Sequence, residues 1–407
     1  MIYLLLGPFG IFLLFRVFFP TIWCLEFLFF NDVNTKSFDV VLYHLIFLLL
    51  QGVLTLLLMF YIIKMVKRYR FLRYSDIYQY QKNKDAKFFS KIALLGIGVF
   101  LLLNYNSLPI FMDRGSDAIV LLGQVKKTKT WFMYGVLGIF STLLLVAMVY
   151  SIKQKTKYIY GLFYFIIAVI GGKKSAIIGA FNKLIFLYYL FSHKKPNLPI
   201  FKIFIGLIFS AYFIVIQFSR TAGFEIDYLQ IFNVLFQLVY SSSTGYLGQI
   251  IVMDGLQYAH GYSEHLVGIG GPILYILNPF TKFIFGTGID KSIGPYMMEQ
   301  FYGETEIPNG VNPTLFFEYI FVFGSIEYVI FAFINMFLVF VLARYFIKRV
   351  IFNFNTSVLV TITYLGLFMS CFSFLADTLN TIRSLPFVLL PMFIFYTLKF
   401  LSVVSKK

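Results

Sequence analysis

Charged residues make up only 13% of this 407-residue chain, so whatever chemistry it does falls to few groups. The cations stand at the ends of apolar runs. Arg220 closes one run in QFSRTAG, Lys173 and Lys174 fill the middle of GGKKS between two short runs, and Arg383 opens another in NTIRSLP, shortly after Asp377. Cations so far apart in sequence suit one polyanion if the fold gathers them at a single membrane face. A diphosphate fits, because arginine binds phosphate oxygens bidentately and lysine supplies a compact point charge. The ordinary use of such residues is to anchor helix ends at headgroup level. Arg220 and the Lys173/Lys174 pair stand out from that use, since they border a long acidic segment and a short glycine-tipped hairpin.

Candidate bases are fewer. His260 and His265 flank Glu264 in QYAHGYSEHLVG, and a histidine titrating near neutrality removes a hydroxyl proton efficiently. The competing use is an interfacial histidine pair beside Tyr258 and Tyr262, and it is the commoner one. Glu318 lies inside the apolar run LFFEYIFVFG, where a carboxylate is costly unless it is paired or lines a cavity. His44 falls within another apolar run and reads as a packed or helix-bonding side chain, with no acid close in sequence. His193 lies in a basic connection, away from the rest.

Other chemistries are disfavoured by absence of their motifs. The chain has no GxxxxGK[ST], no HExxH and no Gly-x-Ser-x-Gly, and GIGGPI at 268–273 follows an apolar run rather than a strand. The two cysteines, Cys24 and Cys371, lie in or beside apolar segments, which argues against a disulfide framework or a zinc site. No metal or cofactor is expected.

The elements that must hold these groups are membrane helices. Hydrophobic residues reach 59%, with a mean hydropathy of +0.82, whereas soluble domains carry roughly 25% charged residues. Apolar runs fall at 2–19, 41–63, 92–110, 131–150, 158–171, 175–192, 200–218, 325–345, 354–375 and 385–402. This predicts an all-α, polytopic transmembrane bundle of about ten spanning helices in one membrane domain over 1–407. The net charge of +16 is distributed in short clusters between runs, such as Lys64/Lys67/Arg68, Lys153/Lys155/Lys157 and Lys348/Arg349. That pattern marks cytoplasmic loops rather than a nucleic-acid surface. It places both termini in the cytoplasm. The opening MIYLLLGPFGIFLLF has no basic n-region and no small-residue cleavage site, so it reads as a retained first helix. Arg16, near the outer end of that run, is expected to snorkel to the interface.

Three segments depart from plain spans. The hairpin at 158–192, tipped by Gly171-Gly172-Lys173-Lys174-Ser175, barely crosses roughly 30 Å of hydrocarbon, so its tip is expected to sit in a protein-lined or aqueous recess. Residues 105–130 form an outer loop whose Lys126, Lys127 and Lys129 oppose the charge rule. Residues 219–313 form one long segment rich in acid, including Glu225, Asp227, Asp254, Glu299, Glu304 and Glu306, and belong outside. Its apolar stretches, broken by glycine and proline, read as amphipathic or re-entrant helices.

With these parts in place the chain resembles the bacterial O-antigen polymerases (Wzy-type), the oligosaccharide-repeat-unit polymerases. The resemblance rests on GGKKS at the hairpin tip, Arg220 at the mouth of a dominant outer loop, the Tyr-x-x-Gly-Tyr of QYAHGYSEHLVGIGGPILYILNPF, and PNGVNPTLFFEYIFVFGSIEYVIFAFI at the loop exit. It implies a glycosyltransferase of the cytoplasmic membrane that joins oligosaccharide repeats carried on undecaprenyl diphosphate, without nucleotide or metal. A chain-length regulator and a repeat-unit flippase are the implied partners, besides membrane lipid. Arg220, Lys173, Lys174 and Arg383 would hold the diphosphate, and His265, His260, Glu264 or Glu318 would take the acceptor proton. O-antigen ligases of the wider group carry a His-Asn pair before the helix that follows the loop. Here that stretch reads Gly310-Val311-Asn312-Pro313, which counts against a ligase. The rival from another class is a flippase for the same lipid-linked repeat, which predicts two similar halves and no large loop.

Overall fold

In a long run of Leu, Ile, Val and Phe with few breakers, helix is the backbone form that satisfies its own polar groups away from water. The computed structural model describes residues 8–30, 35–72, 84–104, 154–170, 315–323, 326–353 and 358–375, shorter helical pieces between 138 and 148, 183 and 190, and 381 and 397, and the isolated positions 4 and 277. Among these residues the protein is all-α, with no strand. Helix α1 (Pro8–Leu13) passes through a π-helical turn (Leu14–Phe18) into α2 (Phe19–Phe30). There follow α3 (Thr35–Leu72), α4 (Lys84–Asn104), α5 (Gln154–Ile170) and α6 (Leu315–Phe323). A 3-10 turn (Ile326–Tyr328) then leads into α7 (Val329–Asn353), and α8 (Val358–Phe374) completes the set.

Among the described residues two helices are long and apolar enough to cross a membrane. They span Phe38–Arg68, 31 residues, and Ile326–Asn353, 28 residues. Only 39% and 33% of their most apolar windows are buried, whereas the core helix of a soluble protein is mostly buried. What remains exposed is apolar and periodic. On α3 the outward stripe is Ile46, Leu49, Val53, Leu56, Leu57 and Phe60; on α7 it is Ile330, Ile334, Phe337, Leu338, Val341 and Leu342. Inward stripes are equally apolar, with Phe47, Leu48, Met59 and Ile62 on α3 and Ala332, Met336, Val339 and Ala343 on α7. A helix hydrophobic all round needs an apolar medium on the side its neighbours do not cover.

Ring contacts fix the packing directions. Phe47 meets Phe333 at 5.3 Å and the Arg344 guanidinium lies 4.7 Å over the Tyr61 ring, so α3 and α7 run parallel. Phe340 meets Phe372 at 6.5 Å and Phe346 meets Tyr364 at 6.1 Å, so α7 and α8 run antiparallel. The parallel pair is polar in charge. Lys64, Lys67 and Arg68 end α3 beside Arg344, Lys348 and Arg349 of α7, and no Asp or Glu occurs in 58–72 or 338–365. The opposite ends carry Asp39 and Glu327. Phe9 of α1 and Phe186 reach the same core, Phe9 lying 5.3 Å from Phe372 and Phe186 stacking 5.4 Å from Phe368. A smaller cluster joins Ala93, Ile97 and Phe100 of α4 to Leu143, Leu144 and Ile167.

The structure corrects the sequence reading near the start of the chain. The first apolar run in the sequence lies at 2–19, with Arg16 near its outer end. Instead helix continues to Phe30, and Arg16 sits mid-course, half-buried in the π-helical turn. The cause is local. Proline has no N–H to donate four residues back, and the turn just before it re-routes bonding by one residue, with the Phe19 N–H donating to the Leu14 carbonyl. The end of the second run also differs, since Lys64, Lys67 and Arg68, assigned to a loop from the sequence, lie within α3, which runs to Leu72. The run at 200–218, the loop at 105–130, the hairpin tip and the segment 219–313 lie outside the described residues, apart from position 277.

Candidate functional site

Of the residues the sequence nominates for chemistry, the structure describes Glu318. It belongs to α6, the short helix immediately after the acidic segment. The start of α6 is pinned to the end of α8, where the Leu315 N–H donates to the Leu375 carbonyl at 3.1 Å. Leu315 through Ile320 are all buried, and Glu318 is wholly inaccessible. A nine-residue helix has little stability of its own. Its position comes from its contacts with α3, α7 and the end of α8.

Phe316 and Phe317 stand 5.3 Å apart and hold the His44 ring of α3, whose centroid lies 4.9 Å from the first and 4.5 Å from the second. Phe47, one turn further along α3, touches Phe316 at 5.6 Å. Next in the chain after Glu318, the Tyr319 hydroxyl accepts a hydrogen bond from the Asn335 amide of α7. Glu318 interacts electrostatically with Tyr319. Phe323 stacks on Tyr328 at 4.7 Å and closes the turn into α7. Glu318 therefore sits inaccessible on a short helix packed between α3, α7 and the end of α8, where a carboxylate is costly unless it is paired or lines a cavity.

His44 is packed, as its place in an apolar run implies. Its Nδ1 lies 3.4 Å from the Cys24 sulfur, and the ring has no accessible surface. The sequence shows no acid near it, yet the helix bearing Glu318 is its direct neighbour. The signal for Tyr319 and Asn335 was weak: a tyrosine beside the glutamate and an asparagine four turns on, both inside apolar runs.

No family model, curated protein or solved structure matches the chain. The site must be interpreted from its own residues. Arg220, Lys173, Lys174, Arg383, His260, Glu264 and His265 lie outside the described residues, so the diphosphate cluster and the three other candidate bases carry no geometry here. The described part of the site is one buried carboxylate on α6, just after the acidic segment in sequence.

Proposed function

We propose that the chain is a polytopic protein of the bacterial cytoplasmic membrane, with about ten spans and both termini inside, that polymerises a surface polysaccharide. Its substrates are oligosaccharide repeats on undecaprenyl diphosphate, joined at the outer face. The observation that carries this reading is Glu318, buried on α6 at the exit of the 219–313 segment. The apolar outward faces of α3 and α7 and their shared charge polarity support the membrane setting.

In the proposed reaction an acceptor sugar hydroxyl attacks the anomeric carbon of the growing chain. The bond from that carbon to the phosphate oxygen breaks, and the lipid diphosphate departs with its electron pair. Arg220, Lys174, Lys173 and Arg383 stabilise the charge that develops on it. The hydroxyl proton passes to a base, for which Glu318 is the placed candidate and His265, His260 and Glu264 are the alternatives. The protein's main work is to hold two amphiphiles with their reacting atoms close together.

Arg220→Ala tests this directly. The expected outcome is loss of polymer, accumulation of single-repeat glycolipid and an unchanged protein level. Full-length polymer from that variant removes Arg220 from the mechanism. A buried carboxylate on a helix that packs against a buried histidine also suits a flippase for the same lipid-linked repeat. Deletion of the gene separates the two: loss of a polymerase leaves one exported repeat, and loss of a flippase leaves none.

A further inference from the structure

Among the described residues, the buried side-chain atoms without a hydrogen-bond partner are Thr21 Oγ1, His44 Nε2 and Gln51 Oε1. All three fall on the facing surfaces of α2 and α3. The register between these helices is fixed at two points. Cys24 Sγ lies 3.4 Å from His44 Nδ1, and a Cβ placed on Gly52 would stand 3.2 Å from Val17 Cγ1. The helices are therefore antiparallel, and the absent side chain at Gly52 lets the π-helical turn approach. Thr21 lies between Val17 and Cys24 and on their face, being four residues after one and three before the other. Gln51 adjoins Gly52, two turns or about 11 Å along α3 from His44. The three orphaned atoms line one seam.

Other hydroxyls in these apolar helices are quenched locally. Thr55 donates to the Gln51 carbonyl at 2.7 Å, Ser370 to that of Gly366 at 3.0 Å and Thr397 to that of Phe393 at 2.9 Å, each four residues back. Thr21 lacks that bond although it too is helical. His44 cannot complete itself either. If the Cys24 thiol donates to Nδ1, Nε2 is left as a donor; if Nδ1 donates to sulfur, Nε2 is left as an acceptor. Gln51 Oε1 needs a donor.

We propose that Thr21, His44 and Gln51 form a binding site for internal water, a hydrated seam inside the bundle between α2 and α3. Water both donates and accepts, so it satisfies Nε2 in either tautomer, the hydroxyl of Thr21 and the carbonyl oxygen of Gln51. Thr21 lies between the other two in register, so one water between Thr21 and His44 and a second between Thr21 and Gln51 would each have two polar partners, within the range that retains buried water. By the charge polarity of α3 the seam occupies the outer half of the helix, directly behind α6. It does not depend on the reaction proposed above.

The two cysteines provide the test. Both are buried, Cys24 on the seam and Cys371 on α8. The purified full-length protein is exposed to a short radiolytic pulse in ¹⁸O-labelled water, and the label at each cysteine is read by mass spectrometry. Cys24 is expected to take up label several-fold faster than Cys371. Equal rates overturn the proposal, and so does an unlabelled Cys24, which is the outcome if a lipid or glycan hydroxyl fills the seam instead. Thermal unfolding gives a second, sign-based readout. Removing one polar wall of a filled site leaves its water and the other walls short of partners, so Thr21→Val and Gln51→Leu each lower Tm by about 2–4 °C. In a dry seam the same substitutions remove an unsatisfied group. An unchanged or raised Tm overturns the proposal.

Discussion

Glu318 is the candidate base that the structure describes, a carboxylate on α6 with no accessible surface. If it takes the acceptor proton, Glu318→Gln keeps the shape and loses the base. Polymer formed per unit of protein is then expected to fall by about 10²–10⁴-fold, as read by gel analysis of the glycan, with expression unchanged. Polymer at the original level sends the role to His265, His260 or Glu264. Its neighbour makes a stability prediction. Tyr319→Phe removes the hydroxyl to which Asn335 donates and strands that amide, which costs about 1–3 kcal/mol and lowers Tm in detergent. Glu318 was visible in the sequence because charge in an apolar run is a local anomaly. The pairs Tyr319–Asn335 and Cys24–His44 were not, since which helix faces which is set by long-range packing and leaves no local mark.

At the level of elements, continuous hydrophobicity made α3 and α7 legible, and the runs at 41–63 and 325–345 lie within them. Their ends were not legible. Beyond residue 63 the side chains of Lys64, Lys67 and Arg68 are charged, yet their long stems cling to the helix while the ammonium and guanidinium groups reach water, so α3 persists to Leu72. The first run, expected at 2–19, is also exceeded, because a π-helical turn lets the helix pass through Pro20 to Phe30. Close approach also leaves a testable mark. A Cβ on Gly366 of α8 would stand 2.6 Å from Val388 Cγ1, so this glycine lets the last helical piece lie against α8. Gly366→Ala is expected to cost about 1–3 kcal/mol through overpacking, measured as a lowered unfolding temperature. Unchanged stability would mean that the two pieces slide apart freely.

For the whole molecule, sidedness is the premise that governs function. Cysteines introduced within 219–313 are expected to react with an impermeant maleimide in intact spheroplasts, and cysteines replacing Lys67 or Arg349 only after lysis. The reverse pattern would place the acidic segment in the cytosol and leave no outer site for the glycan transfer. This premise rested in the sequence on the clustering of lysine and arginine, and the described helices add the parallel alignment of α3 and α7, which brings Tyr61 under Arg344. That alignment is also a parity rule. If both helices span the membrane in the same sense, α3 finishes on the side opposite to the one where α7 starts, and the chain between Leu72 and Ile326 would have to traverse the bilayer an odd number of times. The runs expected to span at 92–110, 131–150, 158–171, 175–192 and 200–218 would supply five traversals. Should the hairpin at 158–192 dip in and return from one side, three remain and the rule still holds, whereas losing any single run elsewhere would break it.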